Sequence, residues 1–86
     1  MKPPYEDAVV VVTGASTGLG RAIAVGAADQ GAKAVVINYA SSEQEAEETA
    51  RQVRALGADA VVVRGDVAEV ADCVSIAAAA ARFRRI

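Results

Sequence analysis

Three short apolar runs divide the chain: Ala8-Val9-Val10-Val11-Val12, Ala34-Val35-Val36-Ile37 and Ala60-Val61-Val62-Val63. Each is continuous and rich in β-branched residues rather than alternating with polar ones. A run of this kind predicts a strand enclosed on both faces, as in a parallel sheet lying between helices.

The stretches between the runs have helical spacing. In the first, Leu19, Ile23, Gly26, Ala27 and Gln30 share one face, and Gly31 is placed to close the helix in a left-handed conformation. In the second, Ser42 followed by Glu45 predicts a capping box; Ala46, Ala50, Val53 and Leu56 form the apolar stripe, Glu47 faces Arg51 at i,i+4, and Gly57 ends the helix. A third helix is predicted from about Glu69, with Val70, Cys73, Val74, Ala77, Ala78 and Ala81 on one face. The order strand–helix–strand–helix–strand–helix predicts one α/β domain over residues 1–86, an open, doubly wound parallel sheet of three strands and three helices. The period would also suit a leucine-rich repeat, but the leucine ladder is missing.

Composition narrows the function classes. Of 86 residues, 53% are hydrophobic and 23% charged, as in a folded domain and unlike a disordered one. The net charge of −2 and the few aromatic residues give no surface for nucleic acid. Arg82, Arg84 and Arg85 form a local basic cluster, best read as favourable charges at a helix C-terminus rather than a phosphate site. No apolar run is long enough to span a bilayer, and Met1-Lys2-Pro3-Pro4-Tyr5-Glu6-Asp7 is polar and unlike a secretory signal. The single cysteine, Cys73, has no internal disulfide partner. Together these features place the chain in the reducing cytoplasm.

The first strand runs into Thr13-Gly14-Ala15-Ser16-Thr17-Gly18-Leu19-Gly20, and a helix follows at once. Glycines at such a turn allow left-handed backbone and the close approach of a diphosphate. The free N–H groups at the helix start then point at the anion, and the helix dipole favours its charge. The spacing Gly-x3-Gly-x-Gly departs from the Gly-x-Gly-x2-Gly fingerprint, and no Gly-Lys-Ser/Thr follows that would make a P-loop. Glycine-rich turns also arise for steric reasons alone; the strand before and the helix after favour nucleotide binding.

From Thr13 to Ala24 the chain closely resembles the cofactor loop of the short-chain dehydrogenase/reductase family. The resemblance continues through Asn38-Tyr39-Ala40-Ser41-Ser42 and Gly65-Asp66-Val67 to the end. It is strongest to 3-oxoacyl-acyl-carrier-protein reductases and bacterial sugar dehydrogenases. The resemblance implies a partial Rossmann fold and a nicotinamide dinucleotide held by Gly14, Ser16, Thr17, Gly18, Leu19 and Gly20. The adenosine ribose lies at the end of the second strand, near Asn38, Tyr39 and Ala40.

An acid at that position would bind the 2′-hydroxyl of NAD and repel the 2′-phosphate of NADP. This chain has Asn38 there and no carboxylate until Glu43. Ser41 and Ser42 offer hydroxyls and N–H groups to a phosphate, although Ser42 is equally a helix cap. NADP is therefore the expected cofactor, with NAD as the alternative, and Asn38→Asp is expected to shift preference toward NADH. One departure counts the other way: NADP-preferring relatives often carry a basic residue where this chain has Thr17 or Ala40. The resemblance also sets Asp66 against the adenine amino group and Val67 beside the ring; Asp66 would otherwise be a turn residue.

The family performs hydride transfer with a tyrosine proton donor, a lysine four residues on, a serine and an asparagine. Here Tyr5 and Tyr39 are followed four residues later by Val9 and Glu43, the lysines are Lys2 and Lys33, and histidine is absent. No residue is assigned a catalytic role. Cys73, on an apolar stripe, reads as a packing residue. Arg84 stands where relatives commonly have glycine. A fourth strand and its Asn-Asn-Ala-Gly segment would follow Ile86, so the chain is expected to be the cofactor-binding part of an oxidoreductase, inactive alone. The alternatives are a non-catalytic nucleotide-binding module and a truncated product. On that expectation, residues 9–12 form an apolar sheet edge open to self-association, leaving the isolated chain marginally folded or molten. The complete form is expected to be a homo-oligomer built through later helices.

Overall fold

The computed structural model describes residues 6, 8–14 and 18–65. They form β1 (Val9–Val12), α1 (Gly18–Asp29), β2 (Ala34–Tyr39), α2 (Glu43–Ala55) and β3 (Asp59–Arg64). The three runs become three parallel strands in the order β1-β2-β3. Val12, Ile37 and Val62 lie level with one another across the sheet. The predicted third helix, with Cys73 and the basic cluster, lies outside the described residues.

Side-chain alternation divides the sheet into two faces. Val10, Val12, Val35, Ile37, Tyr39, Ala60 and Val62 pack with α1 and α2 in one cluster, while Val36 packs with Val9, Val61 and Val63 in another. Both described helices thus cover the same face. Burial on both faces, expected of all three strands, holds throughout only for the central one: every residue of β2 is buried. In β1, Val12 is buried, Val9 and Val10 are partly covered and Val11 is exposed. Among the described residues β1 pairs with β2 alone.

In α1 the structure corrects the predicted buried face. Leu19 is 77% exposed and Ile23 49%, whereas Ala24, Ala27 and Ala28 are buried. Gly26 and Gln30 are also exposed. The sequence reading gave weight to the largest apolar side chains. The packing instead favours methyl groups at i, i+3 and i+4, which bring the helix axis close to β2. The predicted end is as expected: Gly31 has φ +99°, its N–H donates to the Ala28 carbonyl at 3.1 Å, and Ala32 N–H donates to Ala27 at 3.1 Å. This pair of bonds satisfies carbonyls that the last turn leaves free.

In α2, Ala46, Ala50 and Val53 are buried as predicted, with Thr49 joining them; Leu56 is 45% exposed. Ser42 is the N-cap residue, its carbonyl accepting from Ala46 N–H at 3.0 Å, but its side chain makes no capping bond. The predicted capping box is therefore not formed, because the Glu45 carboxylate turns outward to Arg21 at 3.5 Å. The predicted Glu47–Arg51 pair is also replaced. Arg51 Nε donates to Glu48 Oε1 at 2.9 Å and Nη2 to Glu48 Oε2, two bonds from one guanidinium fork. Gly57, at φ +92°, ends the helix and donates to the Arg54 carbonyl at 3.0 Å.

Candidate nucleotide-binding site

Because the strands are parallel, their carboxyl ends lie at one rim of the sheet, where ligands of open α/β sheets bind. Thr13 and Gly14 leave β1 there, Ala40, Ser41 and Ser42 leave β2, and Gly65 leaves β3. Of the sequence-predicted site residues, Gly14, Gly18, Leu19, Gly20, Asn38, Tyr39, Ala40, Ser41 and Ser42 are described. Ser16, Thr17, Asp66 and Val67 lie outside the described residues.

The glycine turn has the backbone that its sequence suggests. Gly14 sits at φ +64° and Gly18 at φ +60°. A Cβ added to either would meet no protein atom within 4 Å. Left-handed backbone, not crowding within the protein, is what calls for glycine at these two positions. Gly18 opens α1, and Gly18 and Leu19 are exposed. The first turn of α1 has no acidic residue, so its N–H groups face no carboxylate of their own helix. This donor set suits a diphosphate: N–H groups that the helix itself leaves without a partner, a favourable dipole and no acid in the first turn.

At the end of β2 the side chains diverge. Asn38 is buried at 3% exposure. Its Nδ2 donates to the carbonyls of Val63 at 3.3 Å and Gly65 at 3.1 Å, joining the ends of β2 and β3. Gly65 N–H returns a bond to the Tyr39 carbonyl at 2.9 Å. The sequence reading set Asn38 beside a ribose without foreseeing this use of its amide, which depends on strand order and register.

Tyr39 is on the other face, beside the start of α2, and its hydroxyl donates to Glu43 Oε2 at 3.3 Å. Burial pushes the phenol pKa above its ordinary value, and the charge and hydrogen bond of Glu43 push the same way against the smaller, opposite effect of Arg64. Ala40, Ser41 and Ser42 are exposed at the N-terminal end of α2. The first turn of α2 carries Glu43 and Glu45, so a phosphate at these serines would meet two carboxylates.

One of those carboxylates is countered from α1. Arg21 Nε donates to Thr49 Oγ1 at 2.9 Å, and Nη2 donates to the Glu45 carbonyl at 2.9 Å and lies 3.5 Å from the Glu45 carboxylate. Thr49 is fully buried, and its hydroxyl also donates to the Glu45 carbonyl at 3.2 Å. The sequence reading missed Arg21 and Glu43 as site residues. The available signals were the position of Arg21 directly after Gly20 and the four-residue step from Tyr39 to Glu43.

Below the rim, an open groove of about 550 Å³ runs between α1 and α2, lined by Gly18, Arg21, Val25, Gly26, Asp29 and Leu56 among others. It reaches the rim at Gly18, where α1 starts, and extends along the two helices to Asp29 and Leu56. Among the described residues no group of acidic, histidine or cysteine side chains could hold a metal ion, and no helix is long and apolar enough to cross a membrane.

A parallel sheet with a glycine turn between its first strand and first helix defines a nucleotide-binding α/β protein of the Rossmann type. The family model for short chain dehydrogenases matches residues 8–86, and the chain belongs to that family. It is 53% identical over 64 residues to L-rhamnose 1-dehydrogenase (NAD(P)(+)) of Sphingomonas sp. (strain SKA58), covering 74% of this chain and 25% of that protein. Versicolorin reductase 1 of Aspergillus parasiticus is 48% identical over 61 residues, 71% of this chain and 23% of that protein. A dehydrogenase from Burkholderia cenocepacia, solved with bound NADP, superposes with a TM-score of 0.89 at 39% identity, over 100% of this chain and 34% of that one. The chain thus spans about a quarter of the length of these two curated relatives and a third of the solved dehydrogenase.

Proposed function

We propose that this chain is the cofactor-binding part of an NAD(P)-dependent oxidoreductase that interconverts a carbonyl compound and an alcohol. The observation that carries the reading is the turn from β1 into α1: two left-handed glycines, Gly14 and Gly18, beside an exposed helix start free of acidic residues. The N–H groups of Gly18, Leu19 and Gly20 hold the diphosphate, and Ala40, Ser41 and Ser42 border the adenosine ribose. Asn38 acts through its contacts with Val63 and Gly65. Ser16 and Thr17 complete the diphosphate loop, and Asp66 and Val67 border the adenine, as the family resemblance implies. A bound nicotinamide dinucleotide supplies the hydride or accepts it.

NADP is the preferred cofactor and NAD the second; the name of one relative includes both. The carboxylate of Glu43 beside Ser42 supports a preference short of exclusive. Proton transfer to substrate belongs outside the described residues. Tyr39, a candidate by residue type, has its hydroxyl engaged with Glu43 and its pKa moved upward, away from what a proton donor near neutral pH requires. The exposed Val11 supports self-association through β1. A sedimentation profile that stays monomeric with rising concentration would remove that part of the reading.

The test is a titration of the isotope-labelled chain with NADPH and NADH up to millimolar concentration, followed by amide chemical shifts. The expected result is saturable shifts largest at Gly14, Gly18, Leu19 and Gly20, weakened in Gly18→Ala. Absence of saturable shifts with either nucleotide, or shifts confined to Val25, Asp29 and Leu56, would overturn the proposal.

A further inference from the structure

Arg21 is the single described side chain that bonds the first turn of α1 to the first turns of α2, and it does so with two separate nitrogens. Nε reaches the buried Thr49 hydroxyl and Nη2 reaches the Glu45 carbonyl, both at 2.9 Å. A guanidinium holds its donors in a rigid plane, so two bonds to one helix fix both distance and orientation. The same group lies 3.5 Å from the Glu45 carboxylate, the acid in the opening turn of α2 beyond Glu43. On the reading above, the two helix starts joined in this way hold the two anionic parts of one ligand. The diphosphate meets the start of α1, and the ribose with its 2′-substituent meets the start of α2.

We infer that Arg21 is a positioning residue for NADP over NAD: it sets the separation of the two helix starts and neutralises Glu45 beside the 2′-phosphate. The inference rests on the proposed cofactor reading and adds a direction to it. Losing a general scaffold contact would weaken both nucleotides alike. Losing this contact exposes a carboxylate next to the one position at which the nucleotides differ, so NADPH must suffer more than NADH.

The experiment compares dissociation constants for NADPH and NADH in the wild-type chain, Arg21→Ala, Arg21→Lys and Arg21→Ala/Glu45→Gln, by the same amide shifts. In Arg21→Ala, NADPH affinity is expected to fall about tenfold, the order of one charge-assisted hydrogen bond, with NADH changed by less than about twofold. Arg21→Lys keeps a charge near Glu45 but not the two-pronged contact, and falls between. Adding Glu45→Gln to Arg21→Ala restores part of the NADPH affinity, because the exposed charge is gone. Equal loss of both nucleotides in Arg21→Lys, with the fold retained by near-UV circular dichroism, would overturn the inference and leave the cofactor reading standing. Failure of the wild-type chain to bind either nucleotide would overturn both.

Discussion

The side-chain amide of Asn38 donates to the main-chain carbonyl of Gly65 at 3.1 Å, closing the gap between the second and third strands where both reach the rim. A second bond from the same nitrogen goes to Val63 at 3.3 Å. An amide can supply two hydrogens to two carbonyls; an ionised carboxylate can supply none.

Asn38→Asp is therefore first a folding change. From the sequence alone it reads as a way to favour NADH, but in the structure it places an acceptor against two acceptors at a buried position. The expected cost is about 1–3 kcal/mol, the range for leaving buried polar groups unsatisfied. It would be measured as a lower urea midpoint than wild type at neutral pH. A variant as stable as wild type with a shifted NADH preference would show that the side chain faces the ribose instead.

Glu43 is where a change of cofactor preference is expected. Its carboxylate is held by Tyr39 at the start of α2, beside Ser42. Glu43→Gln removes a negative charge near the proposed 2′-phosphate position. The ratio of NADPH to NADH affinity should rise about two- to fivefold, the size of a charge effect at a helix end. An unchanged ratio would place the phosphate elsewhere.

Tyr39 gives the chain an alkaline limit. A tyrosine whose pKa is raised on folding contributes stability that is fully present below the unfolded value of 10.0 and lost as pH rises through the folded value. Stability should fall above about pH 10 in the wild-type chain and less steeply in Tyr39→Phe. Urea midpoints measured from pH 8 to 11 test this; parallel curves for the two proteins would contradict it.

At the acid end the corresponding group is Glu48. Hydrogen bonds from Arg51 first and Gln52 second hold its pKa down to about 2 from the ordinary 4.5. A depressed acid contributes stability that is present above the unfolded pKa and lost as pH falls through the folded one, here between about 4.5 and about 2. Glu48→Gln should flatten that part of the acid unfolding curve while leaving neutral-pH behaviour close to wild type, since the pair is solvent-exposed.

Gly26 and Gly57 should respond oppositely to alanine. Neither would crowd a neighbour, since an added Cβ meets nothing within 4 Å at either site. Gly26 lies within α1, where Gly26→Ala should stabilise by about 0.5–1 kcal/mol. Gly57 sits at φ +92°, where Gly57→Ala should destabilise by about 1–2 kcal/mol. Urea unfolding of both variants checks the signs.

Strand number, parallel pairing, the order of elements and the glycine turn were legible in the sequence because each is a local pattern. A β-branched run, a glycine after a helix and a turn ahead of an opening helix all carry their geometry with them. Gly31 and Gly57 take the left-handed conformations that their positions suggested. Choices between competing partners were not legible. Glu45 could cap its own helix or pair across to Arg21, and only the packing of α1 against α2 decides. Arg51 had Glu47 and Glu48 within reach, and the three-residue step places the carboxylate across the guanidinium fork. The buried face of α1 was misjudged for the same reason: the distance to β2 selects alanine over leucine, and no single segment records that distance.

The level register of Val12, Ile37 and Val62 makes the two ends of the sheet unequal in their tolerance of inserted residues. At the amino end, the connections through Lys33 and Ala58 join helix to strand far from the rim, and an extra residue there lengthens a bend. A residue added inside a strand would swap its two faces and move Asn38 or Gly14 off the common line. Length variation between natural versions of this segment should therefore gather at the end remote from the glycine turn.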